Sequence, residues 1–175
     1  MMTLLLTTLA LAPLQCELSV KAHRGYAEGG SMMTLLLTTL ALAPLQCELS
    51  VKAHSRVNEP LPLVMTLTNK GEGPLEVLSW FTPFEGWFAD AIDLTLDNQP
   101  LVYKGPLAKR GEPGADDFFI LGAGQQSQAD ADLTQVYDLS RPGLYHLSYR
   151  AQPLTLTQGV APSCPAISFT RLAAP

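Results

Sequence analysis

Residues 137–150 read Tyr137-Asp138-Leu139-Ser140-Arg141-Pro142-Gly143-Leu144-Tyr145-His146-Leu147-Ser148-Tyr149-Arg150. After the Arg141-Pro142-Gly143 turn, Tyr145, Leu147 and Tyr149 alternate with His146, Ser148 and Arg150. Successive side chains of a strand point to opposite faces, so this period of two predicts a strand with one face against a core. The same pattern extends outward in both directions. Leu63–Asn69 (LVMTLTN) predicts a strand closed by Asn69-Lys70-Gly71-Glu72-Gly73-Pro74, and Leu75–Trp80 predicts the next. Ile92, Leu94 and Leu96 alternate before Asp97-Asn98-Gln99-Pro100 turns the chain into Leu101-Val102-Tyr103. Phe118–Leu121 ends at Gly122 and Gly124, a polar run follows from Gln125 to Leu133, and Ala166–Leu172 forms the last strand. Glu48–His54 predicts the first, with Leu49, Val51 and Ala53 on one face. No helical stripe interrupts the series.

About seven to eight short strands with frequent turns point to an all-β, antiparallel sandwich over residues 48–175. Tyr145, delivered by a turn at a strand start, is similar to the tyrosine corner of immunoglobulin-like sandwiches, whose hydroxyl ties back to the backbone. The alternative is a tyrosine simply half-buried in a strand. Both readings are structural, and the fold expected is an immunoglobulin-like β-sandwich.

The N-terminus carries a verbatim repeat. Residues 1–23 recur unchanged as residues 32–54, separated by Arg24-Gly25-Tyr26-Ala27-Glu28-Gly29-Gly30-Ser31. Natural structural repeats diverge and form arrays, so a single perfect copy excludes a solenoid and marks a recent duplication or an inserted segment. The native chain is expected to begin at Met32 or Met33. Residues 32–47 hold 11 apolar residues in 16 and no charge, which resembles the apolar region of a secretory signal peptide and is too short to span a bilayer. Cleavage fits after Ala43 or before Glu48, although no Lys or Arg precedes the apolar run. The organisation expected is an extra copy at 1–31, a signal-like segment at 32–47 and the β-domain at 48–175. Two identical first strands compete for one slot, so the loser pairs elsewhere, swaps into a neighbouring molecule to form a dimer, or stays loose.

The chain has 175 residues with 11 basic and 16 acidic side chains, a net charge of −5. Without a Lys/Arg cluster this disfavours nucleic acid as a partner. Cys16 duplicates Cys47, which leaves Cys47 and Cys164, just before the first and last strands, as a disulfide candidate in an oxidising compartment. Removal of Cys47 by cleavage would abolish it. His54 and His146 fall on solvent-facing strand positions, and the sequence holds no HExxH, CxxC, Walker or GxSxG motif. No catalytic residue, metal or cofactor is expected, and the chain reads as a non-enzyme.

Two loops stand out. Trp80-Phe81-Thr82-Pro83-Phe84-Glu85-Gly86-Trp87-Phe88 packs five of the chain's 13 aromatics into nine residues. It is either a plug folded over the sandwich or an aromatic anchor for a partner. Lys109-Arg110-Gly111-Glu112-Pro113-Gly114-Ala115-Asp116-Asp117 carries both charge signs, either as a solvated loop or as a partner-reading one. The partner-binding candidates are Thr82, Pro83, Phe84, Glu85, Trp87, Lys109, Arg110, Asp116 and Asp117. From Gly111 to Ser140 there is no Lys or Arg, but six carboxylates: Glu112, Asp116, Asp117, Asp130, Asp132 and Asp138.

These loops carry a resemblance. Thr68-Asn69, Thr82-Pro83 with Glu85-Gly86, Tyr103 with Gly105, Lys109-Arg110-Gly111 with Pro113, Asp117, Gly124, Asp132-Leu133 with Tyr137, and Pro142-Gly143 with Tyr145 form one pattern. It is similar to the non-catalytic N-terminal region of peptidyl-Lys metalloendopeptidases of the deuterolysin (aspzincin) family, over roughly residues 48–150. That family's catalytic HExxH is absent from these 175 residues. The resemblance therefore implies a companion module without the peptidase. The function expected is a secreted or periplasmic protein-binding module, a protease inhibitor or protease-associated domain. The alternative is a structural or envelope interaction domain with no inhibitory role.

Overall fold

The computed structural model describes residues 43–151 and 162–175. The duplicated copy and most of the signal-like segment lie outside these described residues. The described strands are β1 (Leu45–Ser50), β2 (His54–Arg56), β3 (Pro62–Asn69), β4 (Leu75–Leu78), β5 (Ile92–Leu96), β6 (Gln99–Pro100), β7 (Phe118–Leu121), β8 (Gln126–Asp132), β9 (Gly143–Tyr149) and β10 (Ile167–Leu172). Single 3-10 turns occupy Ala115–Asp117 and Leu133–Gln135. The described region is all-β.

The strands form three sheets, ordered β1-β3-β8, β2-β10-β9-β5-β6 and β4-β7. Every strand pair is antiparallel except β2 with β10. One buried cluster draws on all three sheets: Leu45 and Leu49 of β1, Leu63, Met65 and Leu67 of β3, Val77 of β4, Leu94 of β5, Leu121 of β7, Tyr145 and Leu147 of β9, and Phe169 of β10. The period-two apolar positions thus share one core, each contributing about 1.5–3 kcal/mol of burial.

The Asp97-Asn98 turn joins β5 to β6 with φ of 49° and 64°, the left-handed values that two-residue hairpins need and that Asn and Asp tolerate. Gly143 opens β9 with φ of 151°, and a Cβ there would meet Leu96 Cδ1 at 2.5 Å. Tyr145 donates its hydroxyl to the Arg141 carbonyl at 2.6 Å, a tie to the backbone four residues upstream. A disulfide joins Cys47 to Cys164, so β1 is fastened to the segment that leads into β10.

Three expected elements differ. The first strand begins at Leu45, ahead of Glu48, and stops at Ser50. Leu45 and Cys47 continue the inward alternation of Leu49 and pair with β3, a continuation hidden inside the signal-like stretch. The chain then crosses to β10 as β2, where buried Ser55 accepts a hydrogen bond from buried Arg171 at 2.8 Å. Leu101-Val102-Tyr103 is not a strand. Leu101 N–H still reaches the Leu94 carbonyl, but Lys104 N–H bonds Val136, so the chain peels away and Val102 faces solvent. Conversely, the polar run from Gln125 to Leu133 contains β8, paired with β3 along Gln126–Asp132. Its inner positions are Ser127, Ala129 and Ala131, too small and polar to register as apolar alternation.

Candidate protein-binding site

The two loops singled out in the sequence meet in space. The Glu85 carboxylate forms an ion pair with Arg110 and also accepts the Phe81 N–H at 2.6 Å. Phe81 needs that support, because its φ of 64° is strained for a side chain with a Cβ. The Arg110 guanidinium lies over the Trp80 ring, 4.6 Å from its centroid, in a cation–π contact. Trp80 Nε1 donates to Asp117 Oδ1 at 2.7 Å, and Asp117 Oδ2 accepts the Gly114 N–H at 2.8 Å. The Asp117 carbonyl takes both the N–H and the hydroxyl of Ser79. One latch, Glu85–Arg110–Trp80–Asp117, therefore locks loop 79–88 to loop 104–117.

This latch sorts the nine candidate residues. Thr82, Pro83 and Trp87 are buried: Thr82 donates to the Ser79 carbonyl, and Trp87 Nε1 donates to the Asp132 carbonyl at 2.7 Å. Glu85, Arg110 and Asp117 are spent within the latch. Phe84 is half-buried and stacks on Phe119 with centroids 4.7 Å apart. Lys109 and Asp116 are exposed. The aromatic stretch is thus a plug in most of its length, and only Phe88 at its C-terminal end is exposed.

Phe88 is not among the nine candidates. Phe88 is 47% exposed and Leu107 is 72% exposed. The Ala108 N–H bonds the Phe88 carbonyl at 2.8 Å, which brings the backbone of residues 107–109 alongside Phe88. An exposed phenylalanine and leucine, with a lysine that makes no ion pair among the described residues, make an apolar knuckle with the residue chemistry of interface anchors. The sequence gives no sign that Phe88 alone of the five aromatics turns outward to this degree.

Most residues of the recognised pattern have structural work. Asn69 is fully buried; its Nδ2 donates to the Gly73 and Leu121 carbonyls and its Oδ1 accepts the Gly71 N–H. A Cβ on Gly105 would lie 2.4 Å from Tyr103 Oη and 2.5 Å from Val136, so only glycine fits there. Asp132 caps the 3-10 turn by accepting the Thr134 N–H at 2.9 Å and also takes the Leu61 N–H at 3.0 Å. Burial alone would raise the Asp132 carboxyl, but these hydrogen bonds and that from the Thr134 hydroxyl outweigh it and hold it below the ordinary value. Tyr137 donates to the Ile92 carbonyl at 2.8 Å, and burial, reinforced by Asp90, pushes its phenol well above the usual range.

As for chemistry, no group of three His, Cys, Asp or Glu side chains among the described residues is placed to hold a metal. His146 Nδ1 lies 2.8 Å from Ser168 Oγ on the exposed face of β9 and β10. The neighbouring Asp93 carboxylate pairs with Arg150, and both strands have partners on either side. Among the described residues this contact is a surface pairing of facing positions on the two strands. No helix of the described residues is long and apolar enough to cross a membrane.

No protein-family model matches the chain. Among curated proteins, an extracellular protease of Aeromonas hydrophila is 38% identical over 85 residues, covering 49% of this chain and 24% of that protein. The chain thus spans about a quarter of the length of this relative. Among solved structures, Pseudomonas fluorescens alkylpurine DNA glycosylase AlkC, bound to DNA containing an abasic site analogue, matches at TM-score 0.35 and 17% identity, over 74% of this chain and 31% of that one. A superposition that loose carries no argument. The chain contains a protease-related region.

Proposed function

We propose that the chain is a secreted or periplasmic protein-binding module of immunoglobulin-like sandwich type, associated with proteases and not itself catalytic. The observation that carries this reading is the latch. Rigid, mutually bonded loops present Phe88, Leu107 and Lys109 outward at low ordering cost, which is how a preorganised binding surface is built. The protease association is supported by the partial likeness to an extracellular protease and by the pattern shared with deuterolysin-type companion regions. Secretion is supported by that likeness and by the Cys47–Cys164 disulfide, a bond that persists in oxidising compartments. The sandwich type is supported by the Tyr145 corner and by the first-strand segment, which runs antiparallel in one sheet as β1 and parallel to β10 in the other as β2.

Titrating the chain into secreted metalloproteases and Lys-specific proteases tests the reading, with binding and residual activity read together. Binding with falling activity identifies an inhibitor. Binding at full activity identifies a non-inhibitory associated domain, and no binding refutes the protease association.

A further inference from the structure

β7 and β8 are consecutive and joined by a short turn, yet they do not pair. β7 pairs only with β4, and β8 only with β3. Asn69 explains the separation. Its side chain takes the Leu121 carbonyl at the end of β7, while its backbone bonds Gly124 and Gln125 in the turn. The turn is held by one anchor, and the strands leave it toward different sheets. Each keeps one edge without a strand partner among the described residues.

A cavity of about 420 Å³ lies between them, lined by Ser79, Phe84, Asp116, the latch residue Asp117, Phe118, Phe119 and Ser127, a size typical of ligand-binding clefts. The stacked Phe84 and Phe119 rings supply an aromatic surface. Asp116 is exposed and makes no ion pair among the described residues. In sequence, no Lys or Arg occurs between Gly111 and Ser140.

From this we infer that the β7–β8 cleft binds an extended segment of a protein partner, with an apolar side chain on the Phe84–Phe119 pair and a Lys or Arg side chain toward Asp116. Unpaired strand edges supply main-chain hydrogen bonds to an added strand, and the cleft supplies side-chain selectivity. The charge of the rim selects a cationic segment over an anionic one. The inference rests on the reading of the chain as a protein-binding module and names the partner's chemistry.

The probe is an N-acetylated, C-amidated hexapeptide of alternating threonine and valine with phenylalanine and lysine at its centre. Two controls replace the lysine by glutamate or N-methylate alternate amides. Amide chemical shifts of the full chain and fluorescence anisotropy of labelled peptide read binding. The lysine peptide is expected to shift β7 and β8 amides, and both controls to bind at least about tenfold more weakly. Asp116→Asn, an exposed substitution, is expected to weaken the lysine peptide by about tenfold without changing the unfolding midpoint. No shift at β7 and β8, or equal binding of all three peptides, overturns the inference. Protease binding that persists while the peptides fail removes the cleft and leaves the proposed function standing; peptide binding without protease binding does the reverse.

Discussion

Asn69 shows how much one buried polar side chain can organise. It closes the β3–β4 turn through Gly71 and Gly73 and holds the end of β7 through Leu121. Asn69→Ala strands several buried backbone groups at once, and a loss of about 3 kcal/mol is expected in urea unfolding. Asp132 makes a different prediction. A carboxyl held below its unfolded value contributes stability above about pH 4 and loses it as pH falls further. Asp132→Asn keeps the Oδ1 acceptor but no longer titrates, so its stability should fall less steeply than that of the parent between about pH 4 and pH 2. At this scale the sequence pattern marked the right positions and left their roles open. Asn69, Gly105, Asp132, Tyr137 and Tyr145 all lie in the recognised pattern, and all are spent on internal contacts.

At the scale of elements, legibility followed the size of the inward side chains. β3, β5 and β9 carry Leu, Ile, Met or Tyr at alternate positions and could be read directly. β8 could not, because Ser127, Ala129 and Ala131 bury little apolar area and its partner β3 supplies the bulk. The start of β1 was masked by the apolar run before it, where strand alternation and leader hydrophobicity look alike. The latch was beyond sequence reasoning altogether, since it joins Glu85 to a residue 25 positions away. The disulfide closes a separation of 117 residues, so its loss should cost about 5 kcal/mol by loop-closure entropy. Cys164→Ser is the variant to unfold in urea, because Cys16 repeats Cys47 in sequence and offers Cys164 a second thiol.

For the whole molecule, the residues of these loops divide into a scaffold and a surface. Most of the shared pattern builds the scaffold, which is why a likeness can be strong while the partner stays unnamed by it. The surface is small: the Phe88–Leu107–Lys109 knuckle and the β7–β8 cleft. The knuckle is proposed to engage a protein partner, and a double variant, Phe88→Ser with Lys109→Glu, addresses this without touching the core or the latch. The deciding measurement is calorimetric titration of parent and variant chains into the secreted metalloprotease that binds the parent most tightly. Saturable binding by the parent is expected, with a loss of at least about tenfold in the variant and the unfolding midpoint unchanged. Absence of saturable binding by the parent to every protease tried, or equal affinity of parent and variant, would contradict it.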